Sequence, residues 1–259
     1  MNLRLMNGAG NTFAVWDARG QQPDFSALAI KLCKSLGVDG LLAIDHSDIA
    51  DFRLHFYNPD GLRGEMCGNG ARCVCRFAYE LGIAGERMTI QTDAGLVCGQ
   101  RIDASVYRVQ LNLPSVVDLC RTAQAAYVEL GDPGIPHCVT PLSGLDWSQK
   151  EELRPFALKL RFDPAFPKGV NVNFYDRIDA HTVRLLTYER GVEDYTLSCG
   201  TGSASTAVTL WKQGLLSASS LTVQNPGGDL TVTLQTENHR LTAIFLEGPA
   251  EGDQWIQWA

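Results

Sequence analysis

The chain has 259 residues, 45% of them hydrophobic and 20% charged, with a net charge of −7 at neutral pH. That length carries one large or two ordinary domains with a real core, and the absence of any long basic run or aromatic-interleaved Lys/Arg stripe excludes a nucleic-acid footprint in favour of a small-molecule partner. No apolar run approaches the roughly 18–20 residues of a membrane span, MNLRLMNGAGNTF at the start does not read as a leader, and the eight cysteines (33, 67, 73, 75, 98, 120, 138, 199) are irregularly spaced, so a cytoplasmic protein with reduced thiols is expected.

In chain order, RLHFYN (53–58) reads as a strand, a polar loop follows, and Cys67-Gly-Asn-Gly opens a helix over ARCVCRFAYEL. After Gly82 the runs RMTIQT, LVCGQRI and VYRVQLNL alternate with the period of half-buried strands. The chain then crosses from a first half, 1–115, to a second, 116–259, through LNLPSV; the stretch 121–126 and PLSGLDWSQKEE read as loops or short helices. RLLTYE (184–189), LSCGTGSAS and the helical ASTAVTLWKQ come next, then the strands SLTVQN, DLTVTLQT and TAIFLEG. The last run, DQWIQWA, is placed to pair back onto the first half.

Four of these segments repeat. RLHFYN faces RLLTYE at an offset of 131, CGNGARCVCRFAYELG faces CGTGSASTAVTLWKQG at 132, MTIQTDAG faces LTVQNPGG at 133, and VQLNLP faces IFLEGP at 135. One order with little drift predicts an α/β protein of the α+β type: two pseudo-symmetric halves, each with mostly antiparallel strands wrapped around a central, largely buried helix.

The turn itself carries chemistry. A thiol where a helix begins lies near unpaired backbone N–H groups and the positive end of the helix dipole, which favour its thiolate and let it act as a base. The glycine-rich turn also directs N–H groups that can grip a carboxylate. Two such turns supply what inversion beside a carboxylate requires: one group removes the α-proton and the other returns a proton to the opposite face. The α-proton is weakly acidic and nothing in the chain marks a pyridoxal site, so backbone donors must stabilise the developing charge, and no cofactor or metal is expected.

These residues resemble the diaminopimelate epimerases, cofactor-independent two-cysteine isomerases that interconvert LL- and meso-diaminopimelate on the way to lysine and peptidoglycan precursors. The likeness runs through NGAGNTF, YNPDG, EMCGNGARC, GIPHCV, VNVNF, YERG, LSCGTG and PGG. It implies Cys67 and Cys199 as the acid/base pair, and Gly68, Asn69, Gly200 and Thr201 around the reacting carboxylate. It implies Asn11, Asn58, Asn171, Glu189 and Arg190 as further substrate contacts, with Arg190 on the distal carboxylate and Glu189 on the distal ammonium. A homodimer is compatible with it. The family's GNPH reads GIPH here, placing Ile135 where an Asn would meet the distal carboxylate, and its DQLL reads DGLL, placing Gly40 where a Gln is usual.

Two other readings stand beside it. A related two-cysteine racemase for a different amino acid fits Ile135 and Gly40. A non-catalytic zinc protein using Cys67, Cys73, Cys75, Cys138 and His137 fits poorly, because Cys73 and Cys75 lie about 200° apart on a helix of 3.6 residues per turn; a thiol-redox protein stays open, since two close thiols at Cys67 and Cys199 would join in a disulfide on oxidation. Read alone, the cysteines are buried structural thiols, YNPDG is a turn, YERG is a solvated ion-pair surface and His137 is a hydrogen-bonded structural residue.

Overall fold

A computed structural model of the protein describes residues 1–64 and 66–258, without the side chain of residue 253. Glu65, first in the EMCGNGARC motif, lies outside the described residues. The chain folds as two compact units, Met1–Gln110 with Glu247–Ala259, and Leu111–Leu246. The crossing at 110/111 thus precedes the expected boundary at 115/116, and the last thirteen residues belong to the first unit.

The first unit contains β1 (Asn2–Gly8), β2 (Asn11–Asp17), α1 (Phe25–Leu36), β3 (Gly40–Asp45), β4 (Phe52–Tyr57), β5 (Arg63–Gly64), α2 (Gly68–Glu80), β6 (Arg87–Thr92), β7 (Gly95–Arg101) and β8 (Val106–Leu111), which ends at the crossing. The second contains β9 (Pro114–Asp118), β10 (Ala126–Gly131), β11 (Gly134–Pro141), α3 (Lys150–Arg161), β12 (Asn171–Arg177), β13 (Thr182–Glu189), β14 (Asp194–Thr196), α4 (Gly200–Lys212), β15 (Ser220–Asn225) and β16 (Gly228–Glu237). Then β17 (Arg240–Pro249) leads to β18 (Glu251–Gln257), which pairs antiparallel with β1 from Asn2↔Gln257 to Asn7↔Glu251.

Strand pairing repeats the sequence repeat. In the first unit β1/β2, β3/β4 and β6/β7 are antiparallel while β2/β3 and β4/β6 are parallel. In the second, β10/β11, β12/β13 and β15/β16 are antiparallel while β11/β12 and β13/β15 are parallel. A short strand, β5 or β14, pairs with the strand before each cysteine turn. Alternation decides which face of each strand is buried: RMTIQT hides Met88, Ile90 and Thr92, and SLTVQN hides Leu221, Val223 and Asn225.

Each unit wraps its strands around one helix. α2 packs on β1, β2, β3 and β7, and α4 packs on β10, β11, β12 and β16. Both are buried around most of their circumference because short side chains let strands approach: Ala71, Val74 and Ala78 in α2, and Ala204, Ala207 and Val208 in α4, are all fully buried. Two outer helices were not anticipated. α1 starts at Asp24, whose carboxylate accepts the Ala27 N–H at 3.0 Å, buries the single stripe Ala29, Leu32 and Cys33, and ends at Gly37 with φ 66°. α3 begins at the end of the stretch read as loops or short helices and runs on for twelve residues, with Glu151 and Glu152 in its first turn and Lys159 and Arg161 in its last, as the helix dipole favours. The second unit's sheet is therefore two-faced: Cys138, Val172, Phe174, Leu186 and Tyr188 join Ala157 and Leu160 of α3 in an apolar core, while the alternate residues face the other way.

Candidate active site

In the first unit Cys67 is the N-cap of α2, with extended backbone at φ −129° and ψ 119°. Its carbonyl accepts the Ala71 N–H at 2.7 Å, and Gly68 and Asn69 that follow are buried. Asn69 Nδ2 donates to Asn11 Oδ1 at 2.5 Å, so two of the expected substrate residues, one on β2 and one on α2, are joined directly. Only glycine fits beneath this turn at position 8, where a Cβ would stand 2.7 Å from the Asn69 carbonyl. Asn58 follows β4, and its backbone N–H and side-chain Nδ2 both donate to the Leu62 carbonyl, at 2.8 and 3.3 Å. The Nδ2 of Asn58 thus helps to close the YNPDG turn.

In the second unit Cys199 is the N-cap of α4, with φ −127° and ψ 109°, nearly the Cys67 geometry. Its Sγ accepts the Gly202 N–H at 3.3 Å and lies 3.5 Å from Thr201 Oγ1. The sulfur occupies the place that a Ser or Asp oxygen takes in an ordinary cap, which favours negative charge on it. Asn171 on β12 links two neighbouring segments: its Nδ2 donates to the Pro136 carbonyl at 3.2 Å and its Oδ1 accepts the Arg190 N–H at 2.8 Å. Arg190 is exposed, and its Nη1 donates to the Lys168 carbonyl at 2.8 Å. Beside it the half-buried Glu189 closes β13, and burial pushes its carboxyl above the usual range, which suits a group awaiting a cation.

The main residue that sequence reasoning missed is Asn173. It is fully buried two positions after Asn171 on the same face of β12. Its Nδ2 lies 3.1 Å from His137 Nδ1 and donates to the carbonyls of Cys138 and Asn171 at 2.9 and 3.2 Å, while its Oδ1 accepts from Thr187 Oγ1 at 2.9 Å. A Cβ on Gly202 would come within 2.2 Å of that oxygen, so the first turn of α4 rests on this amide. The pattern NVNF, two amides at the strand period in a run otherwise apolar, marks a polar pair on one strand face but not what that pair touches. His137 is fully buried, and desolvation together with the nearby Arg190 charge lowers its pKa to about 3, so it is a neutral hydrogen-bonding group.

Of the remaining cysteines, Cys33, Cys73, Cys75 and Cys138 are core residues, and Cys98 and Cys120 are exposed. Cys73, Cys75 and Cys138 are fully buried, and burial pushes their thiols far up, to about 12 for Cys73 and Cys138. Among the described residues no group of three or more His, Cys, Asp or Glu stands where it could hold a metal ion.

The family model for diaminopimelate epimerase matches residues 4–109 and 131–252. The diaminopimelate epimerase of Aquifex aeolicus is 34% identical, with 96% of this chain and 94% of the relative covered. That of Flavobacterium psychrophilum is also 34% identical, with 97% of each covered. The chain belongs to the diaminopimelate epimerase family. It is an isomerase of the epimerase type, as that membership entails. Its fold is shared more widely: the crystal structure of a phenazine biosynthesis protein of the PhzF family from Bacillus anthracis superposes with a TM-score of 0.75 at 18% identity, covering 99% of this chain and 98% of the other. That likeness bears on the fold alone, and it agrees with the expected α+β architecture of repeated halves.

Proposed function

We propose that this enzyme converts LL-diaminopimelate to meso-diaminopimelate without a cofactor, Cys67 and Cys199 serving as the two acid/base groups. The observation that carries the assignment is the pairing of like with like: each cysteine caps the central helix of its unit in the same extended conformation, ahead of a Cys-Gly-polar-Gly turn. One thiolate takes the α-proton, the other thiol delivers a proton to the opposite face, and the two exchange roles in the reverse direction. Charge builds on the α-carboxylate as the proton leaves. Backbone N–H groups at Gly68, Asn69, Gly200 and Thr201 are the donors assigned to it, preorganised so that little reorganisation is needed.

Asn11 and Asn58 from the first unit and Asn171, Glu189 and Arg190 from the second are assigned to the rest of the substrate. Arg190 takes the distal carboxylate and Glu189 the distal ammonium, whose charge draws the raised carboxyl back to its ionised form. A cytoplasmic setting and a homodimer extend this reading. In the described residues no helix is long and apolar enough to cross a membrane.

The test is α-carbon proton–deuterium exchange in D₂O under reducing conditions, offering LL-diaminopimelate beside single-headed amino acids. Exchange and epimerisation of diaminopimelate alone support the assignment. Exchange of another amino acid with diaminopimelate inert leaves the two-thiol chemistry and moves the substrate, an outcome favoured by Ile135 and Gly40. Mild oxidant supplies a second check: full activity with Cys67 and Cys199 unlinked argues against two thiols converging on one carbon.

A further inference from the structure

Among the described residues Arg72 is the largest fully buried side chain, and nothing in the acid/base scheme uses it. Helical side chains lean toward the N-terminus, so the guanidinium of Arg72 lies over the first turn of α2, where Cys67 sits. There Nη1 donates to the Gly68 carbonyl at 3.3 Å and Nη2 to Asn69 Oδ1 at 2.9 Å, while Nε donates to the Pro249 carbonyl at 3.4 Å. All three partners are neutral oxygens. Among the described residues no carboxylate pairs with Arg72, although every neighbouring arginine of this region has one: Arg4 and Arg76 share Glu80, and Arg108 has Glu247. A buried cation without a counter-ion is costly to keep, and an anion beside it is correspondingly favoured.

The second unit has no equivalent. At the repeat offset of 132 the matching residue is Ala204, fully buried in α4. Cys199 instead has the Gly202 N–H on its sulfur and the neutral Asn173, His137 and Thr187 network under its turn.

From this geometry we propose that Arg72 is a positioning residue for the reaction: its unpaired buried charge holds Cys67 as the resting thiolate, and its fork fixes Asn69, and through it Asn11, against the substrate. The inference rests on the assignment of Cys67 as an acid/base group. Burial brings the Arg72 pKa down only to about 10, so the charge is present throughout the working range. The titratable groups around it are Cys67, Cys73 and Cys75 of its own helix. Beside these stand Arg76, tied to Glu80 and to the Ala250 carbonyl, and Glu251 from β18, whose charge reaches Cys73; Arg4 of β1 shares Glu80 with Arg76, so that trio keeps one positive charge. Cys73 and Cys75 are held protonated by burial, which leaves Cys67 as the thiol able to answer the charge.

The experiment is the pH dependence of Cys67 alkylation by iodoacetamide in the otherwise intact chain carrying C199A, compared with the same chain carrying R72Q or R72K. With Arg72 the midpoint is expected below the ordinary thiol value of about 8.5. R72Q, which can still donate to Asn69 but is neutral, raises that midpoint by about one unit or more and slows alkylation at pH 7 about tenfold. R72K keeps a charge without the fork, so its midpoint stays low while the KM for substrate, measured with Cys199 restored, rises. An ordinary midpoint with Arg72 present, or the same midpoint in a folded R72Q, overturns the proposal; if R72Q does not fold, an ordinary midpoint in R72K overturns it. A purely structural Arg72 would lower the melting temperature in both variants and move neither midpoint. Alkylation reads the thiolate directly, so inactivity toward diaminopimelate with a low midpoint would break the substrate assignment and leave the role of Arg72 standing.

Discussion

The two cysteine turns share a backbone and differ in what lies beneath it. Under Cys67 the support is a charged relay, Arg72 to Asn69 to Asn11, whose end residues belong to α2 and β2. Under Cys199 the support is a neutral cluster on the face of β11, β12 and β13, with the sulfur itself taking a backbone N–H. A repeated scaffold has thus kept a helix start with its backbone donors, the element proposed to hold a carboxylate, while what lies beneath it has diverged between a buried charge and an ordered set of dipoles. The lesson is that the symmetry of the reaction needs matching backbone geometry and does not need matching side chains.

The strongest way to break that parity is to remove one thiol at a time. C67A and C199A are each expected to slow epimerisation by at least about a hundredfold, the usual loss for a proton-transfer group. The measurement is inversion at the α-carbon followed by deuterium uptake, and a tenth or more of the normal rate in either variant would show that one half can work alone.

A second comparison uses the glycines at matching positions of the repeat, Gly202 and Gly70. G202A drives a methyl to 2.2 Å from Asn173 Oδ1, an amide held by several hydrogen bonds, so something in the cluster must move. A cost of about 1–3 kcal/mol in thermal or urea unfolding is expected. G70A meets the Leu42 methyls at 3.2 and 3.3 Å, which can rotate aside, and the Phe13 ring at an ordinary contact distance of 3.5 Å. There the gain of about 0.5–1 kcal/mol from Ala over Gly in a helix largely offsets the crowding. Equal losses in the two variants would mean that the Asn173 shelf is as yielding as a leucine.

These positions also mark the limit of what the sequence discloses. The repeat, the two central helices and the strands after Gly82 and Gly214 are legible because periodicity and glycine turns are local signals. The outer helices were harder. In α1 the cap at Asp24 and the stripe Ala29, Leu32, Cys33 are present but short, and in α3 Pro155 and the Ser/Gly-rich approach mask a helix that packing on β12 completes. At the site, Cys67 and Cys199 announce themselves by their turns. Asn173 and Arg72 act from beneath, through contacts fixed only when strands and helix come together, and no spacing rule reports those.

Acid titration sharpens the contrast further. His137 has an ordinary pKa of 6.5 when unfolded and about 3 when folded, so its contribution to stability is complete above pH 6.5 and is lost as the pH falls through that window toward 3. Arg72 titrates far above this range, so its burial adds no slope there. His55 of the first unit is also pushed down by burial, with Asp45 opposing, and serves as the matched comparison. The melting temperature of the intact enzyme is expected to fall less between pH 7 and pH 5 in H137N than in the parent, with a smaller flattening in H55N. Parallel curves for H137N and the parent would mean that His137 is not held neutral.

The smallest expected effect falls where this chain departs from its family. Alternation along β11 puts Ile135 on the face of His137, with Leu130 of β10 as its cross-strand partner, at the place where the family pattern has an amide for the distal carboxylate. If Arg190 and Asn171 already hold the distal head through the bond that links them, the missing amide costs one hydrogen bond to a charged group and no chemistry. I135N is then expected to lower the KM for diaminopimelate by up to about tenfold with kcat nearly unchanged, the mark of binding energy shared equally by ground state and transition state. A KM that stays put places Ile135 outside the distal pocket. A KM that rises means the isoleucine packs against the substrate's hydrocarbon stem, where an amide would displace apolar contact.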